Sequence, residues 1–326
     1  VNRKAVKWIV PASLVLLALI AALTWWMLGN YYTEKAQIQL QETLRSLKLE
    51  DKVSWQRFNV SPLGVATFNE VRLEVQPKVY LVAKQLLLSD LMDKPEHQRM
   101  SLQLKQIETL FENEGGKRRA LMYSVLPESV LTNPMDIKLK LDLNFSSNQA
   151  ELIYESQQEK VADFSVKLNL TEIGALRGIL GTLFPQSAAA FMELDPNFTG
   201  LNRLAAIYSI SLNALETKVK DDGLVKQLTD DLMAQVENLP QNADNIEQAR
   251  EQAMPTLVSN MQRSCHSGVA ALMQPCQSLA DFLLAKQNSL QLTAKPQKPV
   301  SLEQLNGVMG RGDIAAAIAL LNIKLN

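Results

Sequence analysis

Histidine and cysteine are the scarcest chemically useful residues in this 326-residue chain, with two of each. His97 and His266 give imidazole acid–base chemistry little material. Cys265 and Cys276 are too few for a four-ligand zinc site even with His266 beside Cys265, since zinc takes three or four protein ligands. No CxxC pair is present, so a thioredoxin-like redox centre is excluded. The sequence also lacks a GxxxxGK[ST] phosphate loop, an HExxH zinc helix and a GxSxG elbow. Net charge is −1, from 33 basic and 34 acidic residues, and no long-range field recruits nucleic acid. Aromatic residues make up 6% of the chain against 47% hydrophobic. Any extended apolar surface is therefore built from Leu, Ala and Val. The expectation is a protein without catalytic residues, metal or cofactor.

One long apolar run is present, in "KWIVPASLVLLALIAALTWWMLGN". From Trp8 to Leu28 no residue is charged, and only Pro11, Ser13 and Thr24 interrupt the apolar side chains. At about 1.5 Å per helical residue the run spans a hydrocarbon layer of about 30 Å. A cleaved signal has a shorter apolar region ending in small residues. This run ends instead on Trp25, Trp26 and Met27, with Tyr31 and Tyr32 beyond. With Trp8 at the other end, these rings suit the two membrane interfaces. A buried core helix is the third alternative, but so long a helix without a polar face has nothing to give to solvent.

Arg3, Lys4 and Lys7 precede the run, whereas Glu34 and Lys35 balance each other after it. The positive-inside rule then keeps residues 1–7 in the cytoplasm and places the body outside. Val1 fits a GTG start codon read literally, which points to a bacterial inner membrane and a periplasmic body. Sequons at Asn59, Asn144, Asn169 and Asn197 keep a eukaryotic secretory origin as an alternative. In an oxidising compartment Cys265 and Cys276 are expected to form one disulfide, closing a short loop.

The rest divides into a juxtamembrane helix over 29–50, a mainly antiparallel sheet region over 51–220, and a helical region over 221–326 with a short strand and the disulfide loop. The fold class is α+β, with a curved sheet packed by helices. Ile38, Leu40, Leu44 and Leu47 carry the helical spacing. From Val53 the period shifts toward two, with Val71, Leu73 and Val75 alternating in "VATFNEVRLEV". "VYLVAKQLLLSDLM" reads as a central strand, and Ile107 breaks the phase of Leu102 and Leu104 as at a bulge.

The clearest alternation places Ile137, Leu139, Leu141, Leu143 and Phe145 on one face, opposite Asp136, Lys138, Lys140, Asp142 and Asn144. "AELIYES" and "VADFSVKLNL" follow, the latter with Phe164, Val166, Leu168 and Leu170 in phase. Short turns between these runs predict an antiparallel meander with one wet side. A fourth strand is expected where Tyr208, Ile210 and Leu212 alternate. Helices are expected over Glu172 to Phe184, Gln186 to Leu194, Asp222 to Glu237 and Asp244 to Arg263. Ser278 with Asp281 and Ser301 with Gln304 have capping-box spacing. "LQLTAKPQKPV" reads as a last short strand, and "LNIKLN" as closing the sheet.

The basic N-terminus, single apolar helix, juxtamembrane helix and "VSWQRFNVSPLGVATFNEVRLEV" resemble the opening of AsmA-like bacterial envelope proteins. That resemblance implies a membrane-anchored periplasmic body whose curved sheet handles lipids. It covers the N-terminal third and transfers no site residue. The ordinary use of the apolar sheet face is a core packed against helices. The sharper one is an open groove for phospholipid or another acyl ligand, lined by Ile137, Leu139, Leu141, Leu143, Phe145, Phe164, Val166, Leu168 and Leu170. The other non-enzymatic expectation is a structural or assembly subunit of a secretion, pilus or transport complex that presents its body to envelope proteins. Arg311-Gly312-Asp313 reads as a turn with Asp313 starting the next helix. Asp221-Asp222 and Asp230-Asp231 read as the N-terminus and solvated face of a helix rather than a cation site.

Overall fold

In the computed structural model the described residues are 33–38, 40–42, 44–45, 50–76, 79–111, 133–179, 206–237, 246–266 and 273–326. The expected anchor over 8–28, its flanking Trp8, Trp25, Trp26, Tyr31 and Tyr32, and the expected helix from Gln186 to Leu194 lie outside them. Among the described residues no helix is long and apolar enough to cross a membrane. Those between 33 and 45 are helical, in keeping with the spacing that predicts a juxtamembrane helix.

Among the described residues the body is an open, antiparallel, 12-stranded sheet with helices attached. Its strands are β1 (Val53–Ser54), β2 (Arg57–Val60), β3 (Ala66–Gln76), β4 (Val79–Lys94), β5 (His97–Phe111), β6 (Met135–Asn144), β7 (Gln149–Gln158), β8 (Ala162–Thr171), β9 (Ser211–Asp221), β10 (Ser289–Ala294), β11 (Val300–Ser301) and β12 (Ile323–Leu325). From β3 to β10 every strand pairs with its neighbour in sequence; β12 follows β10, β1 and β2 both pair with β3, and β11 pairs with β9. Sequential pairing is the outcome that short turns and period-two runs dictate.

Register decides which face each side chain takes, because a slip of one residue would turn every apolar group outward. Leu139 sits opposite Leu102 and Tyr154, Tyr154 opposite Val166, and Val166 opposite Thr217. Charged rows hold the same register from the other side. Lys138 pairs with Glu155 at 3.2 Å, Lys167 with Glu151 at 2.8 Å and Lys220 with Asp163 at 3.8 Å. These groups are about half exposed, so each pair adds only about 0.2–1 kcal/mol. Their larger effect is to make misregistered pairings worse.

The break expected at Ile107 is a bulge that crosses three strands. Phe68, Leu86 and Leu104 lie in one row and Val71, Ala83 and Ile107 in the next apolar row, three residues on rather than two. Both rows pack into a single cluster. Glu70 and Gln106 take positive φ of 52° and 50°, and Asp136 Oδ1 accepts the Gln106 N–H at 2.7 Å. The register of β5 on β6 shifts at this point. An extra residue in each strand returns the apolar side chains to the same face.

The helices are α1 (Leu176–Ile179), which follows a 3₁₀ turn at Ile173–Ala175, α2 (Leu224–Glu237), α3 (Ile246–His266), α4 (Met273–Leu283), α5 (Leu302–Met309) and α6 (Ile314–Leu321). Helices α2 and α3 fall where periodicity places them. The start of β9 differs from expectation: 206–209 form a helical turn and the strand opens at Ser211. Ser278 also differs. Helix α4 already runs through it, so no cap is needed there, and its hydroxyl donates instead to the Leu325 carbonyl at 2.9 Å. Ser301 and Gln304 do form the capping box of α5, and Asp313 accepts from Ala316 N to cap α6.

Candidate functional site

The largest coherent feature of the sheet is its apolar face, and the elements at its ends close those ends over. At one end Phe68, Val71, Ala83 and Ile107 are buried under Leu40, Trp55 and Phe58. The Phe58 and Phe68 rings lie 4.6 Å apart, and Trp55 meets Phe68 edge-on at 5.6 Å. At the other end the chain leaves β8 through Glu172, whose φ of 58° turns it back over the face. Asn148, in the β6–β7 turn, clamps this reversal by accepting from Ile173 N at 2.9 Å and donating to Glu172 Oε2 at 2.8 Å. Ile173 then packs with Leu141, Leu143 and Ala150 as a buried cluster, with Leu176 against it. Further along, Leu305, Leu320 and Leu321 of α5 and α6 cover Leu212, Leu215, Ala294, Val300 and Ile323.

Between these covered ends the side chains are half-buried. Leu102 on β5, Leu139 on β6, Tyr154 on β7 and Phe164, Val166 and Leu168 on β8 form this strip, while Met100 and Leu152 pack onto the cluster at one end and Leu104 and Ile137 onto that at the other. The residues expected to face lipid thus share one face but divide into two environments. Leu141 and Leu143 belong to the closed core, at 9% and 0% exposure. Ile137, Leu139, Phe145, Phe164, Val166, Leu168 and Leu170 are half-buried.

Two polar side chains are buried at the Leu143 end. Gln98 is opposite Leu143 in register and in phase with Met100, Leu102 and Leu104, yet it is fully buried, and neither its Nε2 nor its Oε1 has a hydrogen-bond partner among the described residues. An unsatisfied buried carboxamide costs about 1–3 kcal/mol. Arg177, on α1, lays its guanidinium over the Phe145 ring at 4.3 Å, and its Nε is likewise buried without a partner among the described residues. Burial pulls its pKa below the usual value, while the nearby Glu96 charge opposes that. Phe145 N donates to the Glu96 carbonyl at 2.9 Å, which fixes this loop beside the first residues of β5. Sequence reasoning missed Gln98 and Arg177. The one available signal was a glutamine in the apolar phase of β5.

The opposite face is wet. Grooves of about 320 and 280 Å³ cut it, sharing Asp142 and Glu151 in their walls. His97 Nε2 lies 2.7 Å from Asp142 Oδ1 in a partly exposed pair. Lys167 has its pKa raised, chiefly by its hydrogen bond to Glu151 and then by that residue's charge. Among the described residues no cluster of three or more His, Cys, Asp or Glu side chains could hold a metal. Asp221 accepts from the N–H groups of Gly223 and Val225, and Asp222 from Lys160 N at 2.9 Å. Both carboxylates are thus engaged in opening α2.

Cys265 and Cys276 form a disulfide with Cα atoms 6.4 Å apart. It ties the end of α3 to α4, whose Met254, Val258 and Ala280 pack together with Leu228 of α2. With a separation of 11 residues, chain entropy assigns it about 2–3 kcal/mol. The double variant Cys265→Ser/Cys276→Ser is expected to unfold at correspondingly lower urea. Equal midpoints with and without reductant would refute that.

A family model described as "Uncharacterized protein" matches residues 136–326, from the start of the regular meander to the last strand. The match gives no link to AsmA-like proteins. A search of curated proteins finds no match.

Proposed function

The chain belongs to the family so matched, over more than half of its length, and we propose that it is an inner-membrane-anchored periplasmic protein of envelope maintenance that handles lipid on its apolar sheet face. The observation that carries this reading is the half-buried strip of Leu102, Leu139, Tyr154, Phe164, Val166 and Leu168 between two covered ends. A closed core would bury these side chains as it buries Leu143. A strip of Leu, Val, Phe and Tyr left partly wet is costly at about 25 cal/mol per Å² of apolar surface. An acyl chain offsets that cost without competing for hydrogen bonds. The uncharged run from Trp8 to Leu28 with its basic flank supports the anchor and its orientation.

Native mass spectrometry of the detergent-extracted full chain tests the reading. Wild type is expected to carry copurifying lipid, and Leu168→Asp to lose it with an unchanged far-UV spectrum, because Leu168 is half-buried. Leu141 is the wrong probe, since a charge in its buried cluster would unfold the protein. Lipid retained by Leu168→Asp, or a stoichiometric protein partner without lipid, would sink the proposal.

One observation favours the second reading, a subunit that docks on other envelope proteins. The pairing of β3 with β4 stops at Leu88, so among the described residues no strand covers the outer side of 89–94. Leu91 there and Leu63 in the preceding turn are 57% and 79% exposed, and an uncovered strand edge invites an added strand.

A further inference from the structure

Two exposed leucines stand at the end of the sheet from which the N-terminal segment enters the body. Thr33 Oγ1 accepts from the Val60 N–H at 2.8 Å and donates to Asn59 Oδ1 at 3.2 Å, which fixes residue 33 at the end of β2. Leu40, seven residues on, packs against Phe68, Val71, Ala83 and Ile107. Those four lie inward along their strands from Ala66 and Leu88, the last residues paired between β3 and β4 at this end. The segment therefore runs inward from the end beyond that pair. Leu63 and Leu91 are each three residues beyond it, at 79% and 57% exposure. Leu63 belongs to a turn closed by the Gly64 N–H, which donates to the Ser61 carbonyl at 2.9 Å. Leu91 sits in a bulge, where Asp90 takes a φ of 55° and the register of β4 on β5 shifts between Ser89 and Met92. Bulges re-aim side chains at sheet edges, and this one holds a leucine out in solvent.

We propose that this end of the sheet rests on the phospholipid bilayer, with Leu63 and Leu91 set at the boundary between headgroups and acyl chains. The proposal rests on the anchored reading and adds which end of the body faces the membrane. Leu28, the last residue of the uncharged run, is five residues before Thr33, so their Cα atoms are at most about 18 Å apart even with the chain fully extended. With that run across the bilayer, residue 33 stays close to the hydrocarbon boundary, and its two hydrogen bonds keep the Leu63 turn close to it. Acyl chains cover the two leucines there without competing for hydrogen bonds. An added protein strand suits this edge less well. The bulge interrupts the ladder, and Asp90 and Lys94 are exposed along it, both of which blunt edge-to-edge pairing.

Photo-crosslinking of the full chain in vesicles of mixed phosphatidylethanolamine and phosphatidylglycerol tests this. Leu63→Cys, Leu91→Cys and Leu110→Cys are each labelled with benzophenone maleimide, which the disulfide-bonded Cys265 and Cys276 do not take up. All three leucines are exposed, so the substitutions leave the fold intact. Leu110 is the control. It is 46% exposed and lies opposite Tyr80, eight residues along β4 from Leu88, about 26 Å at 3.3 Å per residue. Mass spectrometry is expected to find several-fold more phospholipid adduct at 63 and 91 than at 110. Equal capture at all three positions would overturn the facing end and leave the anchor standing. So would capture at none of them while the chain stays with the vesicles in alkaline carbonate. A cross-link to a second copy of the chain in place of lipid would overturn the bilayer as the occupant of this end. Release of the chain by carbonate would overturn the anchored reading and this proposal with it.

Discussion

Replacing Leu143 by Ala is expected to lower the stability of the folded chain by about 3–5 kcal/mol, as for truncation of a fully buried leucine. Leu143 has no exposed surface and is held between Leu141, Ala150 and Ile173. The cavity cannot collapse easily, because a strand lies on each side and the Ile173–Ala175 turn is clamped above by Asn148. The companion change Leu139→Ala, four residues back along the same strand, is expected to cost about 1 kcal/mol, because Leu139 is half-buried and gives up less transfer energy and no closed cavity. Chemical denaturation of the two variants measures the contrast. Equal losses would mean that Leu139 is as enclosed as Leu143, and the distinction between core and open strip would fail.

Gly223→Ala is the second large effect, expected at about 3–4 kcal/mol from backbone strain and overlap together. Gly223 has φ of 131°, which side chains rarely adopt, and a Cβ built there would lie 2.6 Å from the Lys160 carbonyl oxygen. That carbonyl belongs to the β7–β8 turn and cannot swing away freely. The same residue's N–H donates to Asp222, and Val161 accepts from the N–H groups of Asp222 and Leu224. The glycine is thus where α2 must pass close against a turn of the sheet. A melting temperature within a degree or two of wild type would show that the contact yields, against this account.

The contrast between Leu139 and Leu143 marks how far sequence reasoning reaches. Alternation in β6 assigns both to one face, because side-chain direction follows a period of two whatever lies above the sheet. It carries no information on cover, which comes from the reversal at Glu172. The bulge at Ile107 was legible because it breaks a phase that neighbouring leucines establish. The start of β9 was not, since Tyr208 alternates correctly with Ile210 while the chain there is a helical turn, and a register shift between Asn169 and Leu170 resets the phase. Ser278 misled for a related reason. A hydroxyl three residues before a carboxylate is compatible with a cap, but its actual partner, the Leu325 carbonyl, is distant in sequence.

By itself the sequence determined what depends on local chemistry and composition: α+β character, an antiparallel meander with one apolar face, the caps at Ser301 and Asp313, and a single cysteine pair with no other partner to choose. Only the tertiary structure decided which leucines are core and which stay half-buried between the covered ends, and that a glutamine in the apolar phase of β5 is buried opposite Leu143. Those outcomes depend on which distant segments come to rest on one another. Strand period and helix period say nothing about that, because they fix directions along a segment and not the neighbours across it.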